Sequence, residues 1–279
     1  MHVQDLYIYP VKSLGGIRVQ SAEILQKGFR FDRRFMLINS DGQFLTQRTY
    51  PEMALLHTEI HNHLLHVFPV NDPADRVTLP LTGFSGDTIR VQVWDDVMDA
   101  VFTSENHARW FSKHLKTSAR LVFFPEENAR PVDPRFAGQN ESVSFADGFP
   151  YLLISQESLN ELNTRLMDPV PMNRFRPNIV ISGAGAYAED GWEKIFIGET
   201  GFRVSKPCAR CVLITIDQQN AEKGKEPLAT LSRYRRMGKK VLFGQNLIAE
   251  NTGTIAVGDR IQILQTKNLP ELDPEKVMR

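Results

Sequence analysis

Apolar and polar residues alternate over short stretches along most of the chain, the pattern of half-buried β-strands. Residues 88–94 show this alternation clearly. Two hairpins are predicted because turn-forming residues separate strand-like runs. Ser40-Asp41-Gly42 lies between residues 34–39 and 43–48, and Asn62 lies between residues 54–60 and 64–70. Further strands are predicted over residues 6–9, 120–124, 151–155, 178–182, 212–216 and 260–264.

Helical periodicity is confined to a few segments. One helix is predicted after Ser104 and one after Ser155, both good N-cap residues. A shorter helix is predicted over residues 229–236. The apolar faces consist of Ala108, Phe111 and Leu115 in the first helix and Leu159, Leu162 and Leu166 in the second. We therefore expect a β-rich α+β fold with few helices, not a βαβ alternation.

Residues 125–150 have no periodicity, and a loop of this length is usually functional or disordered. We expect a domain boundary near residues 116–120, which divides the chain into residues 1–118, residues 119–266 and a polar tail, 267–279. The long loop then belongs to the second domain, where it is a candidate lid over a site. Its candidate substrate contacts are Arg130, Asp133, Arg135 and Asn140.

Charge and composition exclude several classes of protein. The 33 basic and 33 acidic side chains balance, which argues against a generally basic nucleic-acid binder but permits a local cationic patch. No G-x-G-x-x-G or Walker A sequence is present, so nucleotide binding in those modes is not expected. No signal peptide and no apolar run of membrane-spanning length is visible. We expect a cytoplasmic protein with no membrane segment.

The two cysteines, Cys208 and Cys211, are the main chemical clue. A pair cannot form a disulfide scaffold, a four-thiolate zinc site or an iron–sulfur site. Because the pair precedes an apolar run, not a helix, a thioredoxin-type role is weakly supported. Two alternatives stay open: a single thiolate ligand to a metal whose cofactor brings the other ligands, and two buried structural cysteines.

Four histidines cluster in sequence at positions 57, 61, 63 and 66. The hairpin pattern distributes them over two strands and a turn, so solvated hairpin residues are a better interpretation than a metal site.

Basic residues next to predicted strands suggest an anion site. Lys12-Ser13 precedes two glycines, a combination that can cradle a phosphate. Arg33-Arg34 opens one strand, and Arg174 and Arg176 precede another. Sequence spacing alone does not bring these residues together.

Five motifs in order give the chain a resemblance to the MOSC-domain proteins. The similarity is greatest to the branch with an N-terminal β-barrel domain, which includes the mitochondrial amidoxime reducing component and its bacterial relatives. The match extends from about residue 3 to about residue 265. The motifs are Tyr9-Pro10-Val11-Lys12-Ser13, Asp32-Arg33-Arg34-Phe35, Arg174-Phe175-Arg176-Pro177-Asn178-Ile179-Val180, Cys208-Ala209-Arg210-Cys211 and Leu242-Phe243-Gly244-Gln245-Asn246.

The resemblance implies an N-terminal β-barrel-like domain, a MOSC β-barrel domain, and a molybdenum cofactor (Mo-molybdopterin) in the cleft between them. The metal-binding cysteine of the family corresponds to Cys211. Other positions that match cofactor-binding ones are Lys12, Ser13, Arg34, Arg176 and Asn178 for phosphate and pterin, Ala209 and Arg210 beside the pterin, and the backbone of Gly148 and Phe149. Such a cofactor supplies two sulfurs itself, which makes one protein thiolate sufficient and leaves Cys208 without a required metal role.

The resemblance also implies an activity, the reduction of N-hydroxylated compounds such as amidoximes, hydroxylamines and N-hydroxylated bases. With two cysteines and no flavin or nicotinamide motif, the chain would need an external electron donor: a ferredoxin, a cytochrome b5-like protein or a flavoprotein reductase. The alternatives are a carrier of molybdenum cofactor or of sulfur, and a metal-free protein whose cysteines are structural.

Overall fold

A computed structural model describes residues 1–138 and 141–274. Within these ranges the chain forms nineteen strands and three α-helices. The strands are β1 His2–Ile8, β2 Ile17–Val19, β3 Ser21–Leu25, β4 Gly28–Phe29, β5 Phe35–Ile38, β6 Leu56–His61, β7 Leu64–Pro69, β8 Val77–Pro80, β9 Thr88–Val93, β10 Asp96–Phe102, β11 Arg120–Phe123, β12 Tyr151–Ser155, β13 Ile179–Ser182, β14 Trp192–Ile197, β15 Thr200–Arg210, β16 Arg236–Met237, β17 Lys240–Ala249, β18 Gly253–Ala256 and β19 Ile261–Thr266. The helices are α1 Glu105–Leu115, α2 Gln156–Thr164 and α3 Leu228–Tyr234.

The largest sheet has nine strands and joins the two ends of the chain. Its order is β19-β14-β15-β17-β12-β13-β1-β2, with β16 paired to β17. Strand β1 runs antiparallel to β13, and a buried core that includes Leu6, Ile179 and Phe202 covers this sheet. The fold is therefore strand-rich with few helices, as the apolar patterning predicts.

Three smaller sheets complete the fold. Their orders are β5-β11-β10-β9, β6-β7-β8 and β18-β3-β4. Strand pairing crosses the expected boundary between residues 118 and 119 in both directions. Strand β11 pairs with β5, and strands β1 and β3 pair with β13 and β18. The boundary itself stays a prediction.

Several predicted elements are confirmed. Helix α1 begins after Ser104, whose hydroxyl accepts from the His107 amide at 3.1 Å, and helix α2 begins after Ser155 in the same way. The hairpin of β6 and β7 turns at Asn62 and His63, both with left-handed backbone.

Two predicted strands are wrong. Residues 43–48 make only isolated bridges, because a turn that begins at Thr46 ends the extended segment. Residues 212–216 contain a short 3-10 helix, Val212–Thr215, instead of a strand. A short apolar run does not distinguish strand from helix by periodicity alone, which explains the second error.

The described part of the segment from 125 to 150 has no helix or strand, as expected. Arg130 is buried and donates to the carbonyl oxygens of Ser144 and Asp147, each at 3.0 Å, so it holds the end of the segment in place. Asp133 and Arg135 pair with each other on the surface. Asn140 and residues 275–279 lie outside the described residues. In the part of the chain that is described, no helix is long and apolar enough to cross a membrane.

Candidate functional site

One pocket collects most of the residues that sequence analysis selects. Five cations and one carboxylate are among its lining residues, together with both cysteines. Its relevant lining residues are Lys12, Ser13, Arg33, Phe44, Arg48, Asp147, Gly148, Phe149, Arg176, Asn178, Cys208, Ala209, Arg210 and Cys211. The pocket thus draws on segments from both halves of the chain.

Lys12 lies at the base of the pocket, after strand β1. Its amide donates to the Phe35 carbonyl at 2.8 Å, and its ammonium donates to the Phe145 carbonyl at 2.8 Å and to the Asp147 carboxylate at 2.5 Å. Burial lowers the pKa of Lys12 to about 8, although Asp147 opposes the shift. Lys12 is therefore a buried cation held in a fixed position by Asp147 and the Phe145 carbonyl.

Three pocket residues have left-handed backbone conformations. The φ angles are 67° at Ser13, 49° at Arg33 and 55° at Arg176. Non-glycine residues rarely adopt this conformation, and such strain clusters at functional sites. All three residues line the same cavity. We infer that the surrounding structure holds their backbone in this conformation and so shapes the cavity.

Arg34, which the resemblance assigns to the cofactor, does not line this pocket, and its role at the site stays a prediction. The Arg34 guanidinium contacts the Phe124 carbonyl at 3.2 Å and the Glu126 carboxylate at 2.5 Å, away from the pocket. Its neighbour Arg33 lines the pocket instead and pairs with Asp32 at 2.7 Å. The physical reason is that Arg33 lies in a turn with left-handed backbone, whereas Arg34 directly precedes the extended strand β5, so the two side chains point in different directions.

Tyr9 is a site residue that sequence analysis missed. Its ring lies between two guanidinium groups, with the Arg33 Cζ 4.1 Å and the Arg176 Cζ 4.3 Å from the ring centroid. Its hydroxyl donates to the Pro177 carbonyl at 3.1 Å, and burial raises its pKa to about 12. Burial also lowers the pKa of Arg176 to about 10. The aromatic ring thus holds two like charges apart at the pocket wall.

Asn178 supports the pocket through its side-chain amide. It donates to the Tyr7 carbonyl at 3.2 Å and accepts from the Leu152 amide at 3.2 Å. These bonds join the segments around β1, β12 and β13. Asn178 therefore holds in place the side of the pocket to which it belongs.

The cysteines lie at the end of β15. Both are free, with Cys208 half-buried and Cys211 exposed. Arg210 lies between them in sequence and donates to the Cys208 sulfur at 3.1 Å and to the Phe175 carbonyl at 2.6 Å. Its Nε is buried without a partner among the described residues. The exposed thiol at the pocket is therefore that of Cys211.

The end of the long segment forms another wall. A side chain at Gly148 would meet nothing within 4 Å, so the backbone there is open to a ligand. Phe149 lies beside Phe136, with the Lys206 ammonium 5.6 Å from the Phe149 ring centroid. Ala209 lines the same cavity from β15.

The arrangement suits an anion and a soft metal. Buried cations and hydrogen-bond donors bind phosphate-like groups, and a single exposed thiolate can ligate a metal that brings other ligands with it. Among the described residues, no three His, Cys, Asp or Glu side chains form a group able to hold a metal ion. A metal here would depend on the ligand for most of its coordination.

Comparisons with known proteins identify the family to which the chain belongs. The model of the MOSC N-terminal beta barrel domain matches residues 1–118, and the model of the MOSC domain matches residues 140–262. "Mitochondrial amidoxime-reducing component 1" of Mus musculus is 36% identical over 94% of this chain and 82% of its own length. The Homo sapiens protein of the same name is 34% identical with the same coverage. "Molybdenum cofactor sulfurase" of Oryza sativa subsp. japonica is 34% identical over 88% of this chain and 32% of its own length. The chain therefore belongs to the MOSC-domain proteins that carry an N-terminal MOSC β-barrel domain.

Proposed function

We propose that this protein binds the molybdenum cofactor in the pocket and reduces N-hydroxylated compounds with electrons from a separate protein. The observation that carries the proposal is the exposed Cys211 thiol in a pocket lined by five cations and one carboxylate. The names of the relatives, amidoxime-reducing component and molybdenum cofactor sulfurase, support the choice of cofactor and substrate.

The residues fit such a cofactor. Arg210 has a buried Nε without a described partner, and Lys12 is a buried cation whose pKa is lowered by burial. An incoming anion would satisfy the Arg210 donor, because an unpaired buried polar group is costly, and would add to the stabilisation that Asp147 already gives to Lys12. An electroneutral ligand would leave this excess of positive charge uncompensated.

We assign roles to the chain's own residues accordingly. Lys12, Ser13, Arg33 and Arg176 would hold the terminal phosphate, and Asn178 and Arg210 would lie toward the pterin. Cys211 would be the protein's ligand to molybdenum. When bound, the cofactor supplies two-electron redox chemistry at the metal. The protein contributes binding, orientation and the electrostatic environment.

The proposed reaction balances as follows. An amidoxime loses its N–O bond, takes up two electrons and two protons, and yields an amidine and water. The chain has two cysteines, both assigned to the pocket, and these cannot hold an iron–sulfur cluster. We therefore propose an external donor, such as a ferredoxin, a cytochrome b5-like protein or a flavoprotein reductase. The two free thiols favour a reducing compartment such as the cytoplasm.

The test is turnover of benzamidoxime by protein produced in a host that makes the cofactor. With reduced methyl viologen as the electron source, we expect benzamidine to accumulate over many turnovers. The Cys211→Ser variant should form none. Bound molybdenum without turnover of benzamidoxime, a hydroxylamine or an N-hydroxylated base would contradict the reductase and favour a carrier of the cofactor.

A further inference from the structure

The hairpin between β9 and β10 brings a tryptophan to the pocket. Trp94 lies at the tip of this hairpin with φ of 56° and is 44% exposed. Its indole N–H donates to the Asp147 carboxylate at 3.2 Å, and Asp147 lines the pocket. An exposed aromatic ring is thus anchored at the mouth of the proposed site.

Arg48 lies against this ring. Its Cζ is 4.2 Å from the Trp94 ring centroid and 5.7 Å from that of Phe44, and the two rings contact each other edge to face at 5.3 Å. Both Arg48 and Phe44 line the pocket. The Trp94 ring holds the guanidinium at the pocket through a cation–π contact, which leaves its N–H groups available to an acceptor.

The donors of Arg48 are uncommitted. Among the described residues, its guanidinium has aromatic contacts and an electrostatic attraction to the Asp147 carboxylate, but no hydrogen bond to an acceptor and no ion pair within 4.0 Å. By contrast, Arg33 pairs with Asp32, and Lys12 pairs with Asp147. Arg48 is half-buried at the rim, whereas Lys12 is buried at the base, so Arg48 is not part of the inner cluster of cations.

The backbone beneath Arg48 is fixed. Its carbonyl accepts from the Lys223 ammonium at 3.1 Å, and the preceding residue, Gln47, is bonded to Gln218. Both partners belong to the segment that follows Cys211. Arg48 is therefore held in position relative to the chain segment that carries the exposed thiol.

We propose that Arg48, stacked on Trp94 and Phe44, is a specificity-determining residue that binds a carboxylate on an aromatic N-hydroxylated substrate. This inference rests on the proposed reductase function and names the class of compound that it prefers. A guanidinium presents a planar fork that matches a carboxylate, and the exposed indole offers a face for a flat ring.

The experiment compares 4-carboxybenzamidoxime with unsubstituted benzamidoxime as substrates of the molybdenum-containing enzyme. We expect the wild type to prefer the carboxylated compound in kcat/KM. The Arg48→Met variant should lower the ratio of the two kcat/KM values by about tenfold or more, mainly through KM, because a charge-assisted hydrogen bond is lost. Trp94→Leu should lower the ratio by a smaller factor, because the stacked guanidinium loses its support.

Arg90→Met is the matched control. Arg90 is an exposed arginine of the β9–β10 hairpin and faces Asp99 at 3.5 Å, so its replacement should leave the ratio of the two kcat/KM values unchanged. A second readout is direct binding of the product, 4-carboxybenzamidine, measured by calorimetry. Arg48→Met should weaken that binding by a similar factor at unchanged molybdenum content.

An equal fall in kcat/KM for both substrates in Arg48→Met would overturn the inference. A fall in the molybdenum content of Arg48→Met would also overturn it, because Arg48 would then serve the cofactor. If the wild type reduces neither compound, the reductase proposal fails. The calorimetric titration then still decides whether Arg48 binds the carboxylate.

Discussion

Gln47 and Gln218 exchange two side-chain hydrogen bonds, at 3.2 Å and 3.0 Å, across 171 residues of sequence. Gln47 is fully buried and uses its second N–H to donate to the Ser13 carbonyl at 2.7 Å. The pair therefore joins the segment at Ser13 to the segment that follows Cys211. We infer that it fixes the distance between the end of the pocket proposed to bind phosphate and the end that carries the thiol.

Replacing Gln47 by leucine tests this connection. The change removes the donor to the buried Ser13 carbonyl and both bonds to Gln218, whose amide keeps only its bond to the Ile216 carbonyl, so we expect a loss of about 1–3 kcal/mol in the free energy of unfolding. Molybdenum should also dissociate faster during gel filtration. Gln219→Leu, an exposed neighbour, is the control. Unchanged stability and molybdenum retention in Gln47→Leu would show that the pair has no such role.

The pair Arg33 and Arg34 allows a sharp test of which cation serves the pocket. Arg33→Met should weaken sulfate binding to the cofactor-free protein, because it removes one of the five cations that line the cavity, and it should also cost stability, because buried Asp32 loses its partner. Arg34→Met should retain sulfate binding but lose stability, because Arg34 bonds the Phe124 carbonyl and Glu126. Calorimetric titration with sulfate and thermal unfolding separate the two effects. Loss of sulfate binding in Arg34→Met and its retention in Arg33→Met would support the prediction from sequence that Arg34 serves the site.

Lys12 should make anion binding depend on pH. Its folded-state pKa is lowered to about 8 by burial, so its charge is present below pH 8 and is lost above it. Sulfate keeps the same charge across this range, and its affinity should therefore fall from about pH 7 to about pH 9. Binding near pH 8 should be accompanied by proton uptake, because the bound anion raises the pKa of Lys12.

Lys12→Arg is the control for that titration, since arginine stays charged and its sulfate affinity should be flat with pH. The free energy of unfolding of the wild type, relative to that of Lys12→Met, should rise as pH rises from about 8 toward 10.5, because over that range the unfolded chain binds more protons than the folded one. A constant difference across that window would contradict the lowered pKa.

The buried pair Arg235 and Asp190 supports the fold beneath the pocket. Arg235 donates to Asp190, and Gln245 donates to the other Asp190 oxygen at 2.6 Å. Both charged side chains are almost fully buried. Arg235→Met leaves an uncompensated buried carboxylate, so we expect a loss of ~3–5 kcal/mol in the free energy of unfolding. Urea denaturation measures it, with Arg233→Met, a half-buried arginine of the same segment, as the reference. Equal midpoints for the two variants would refute this role.

The sequence predicts much of this fold because its strands and helices carry strong local patterns. Helices α1 and α2 have N-cap serines and apolar faces, and the β6–β7 hairpin has a turn residue at Asn62. Strand β15 was not predicted, because it contains Pro207 and a polar end that weaken the alternating pattern. The pairing of β1 with β13 depends on contacts distant in sequence, which no local pattern records.

In the candidate site, too, local motifs are predictable from sequence and contacts between distant segments are not. Lys12, Arg176 and Cys211 were selected from motifs, and the structure brings them into one pocket. Arg33 and Arg34 have the same residue type, so only the backbone conformation distinguishes the pocket residue from its neighbour. Tyr9 and Trp94 were missed because an aromatic residue in a strand or hairpin usually packs in a core, and their contacts with arginines exist only in three dimensions.

The central claim is that Cys211 is the protein's ligand to molybdenum. The most direct test is the molybdenum-to-protein ratio, measured by elemental analysis after expression in a host that makes the cofactor, for wild type, Cys208→Ser and Cys211→Ser. Our account predicts a ratio near one for the wild type, most of that ratio in Cys208→Ser, and nearly none in Cys211→Ser. A ratio near zero in the wild type, or one that Cys211→Ser leaves unchanged, would contradict it.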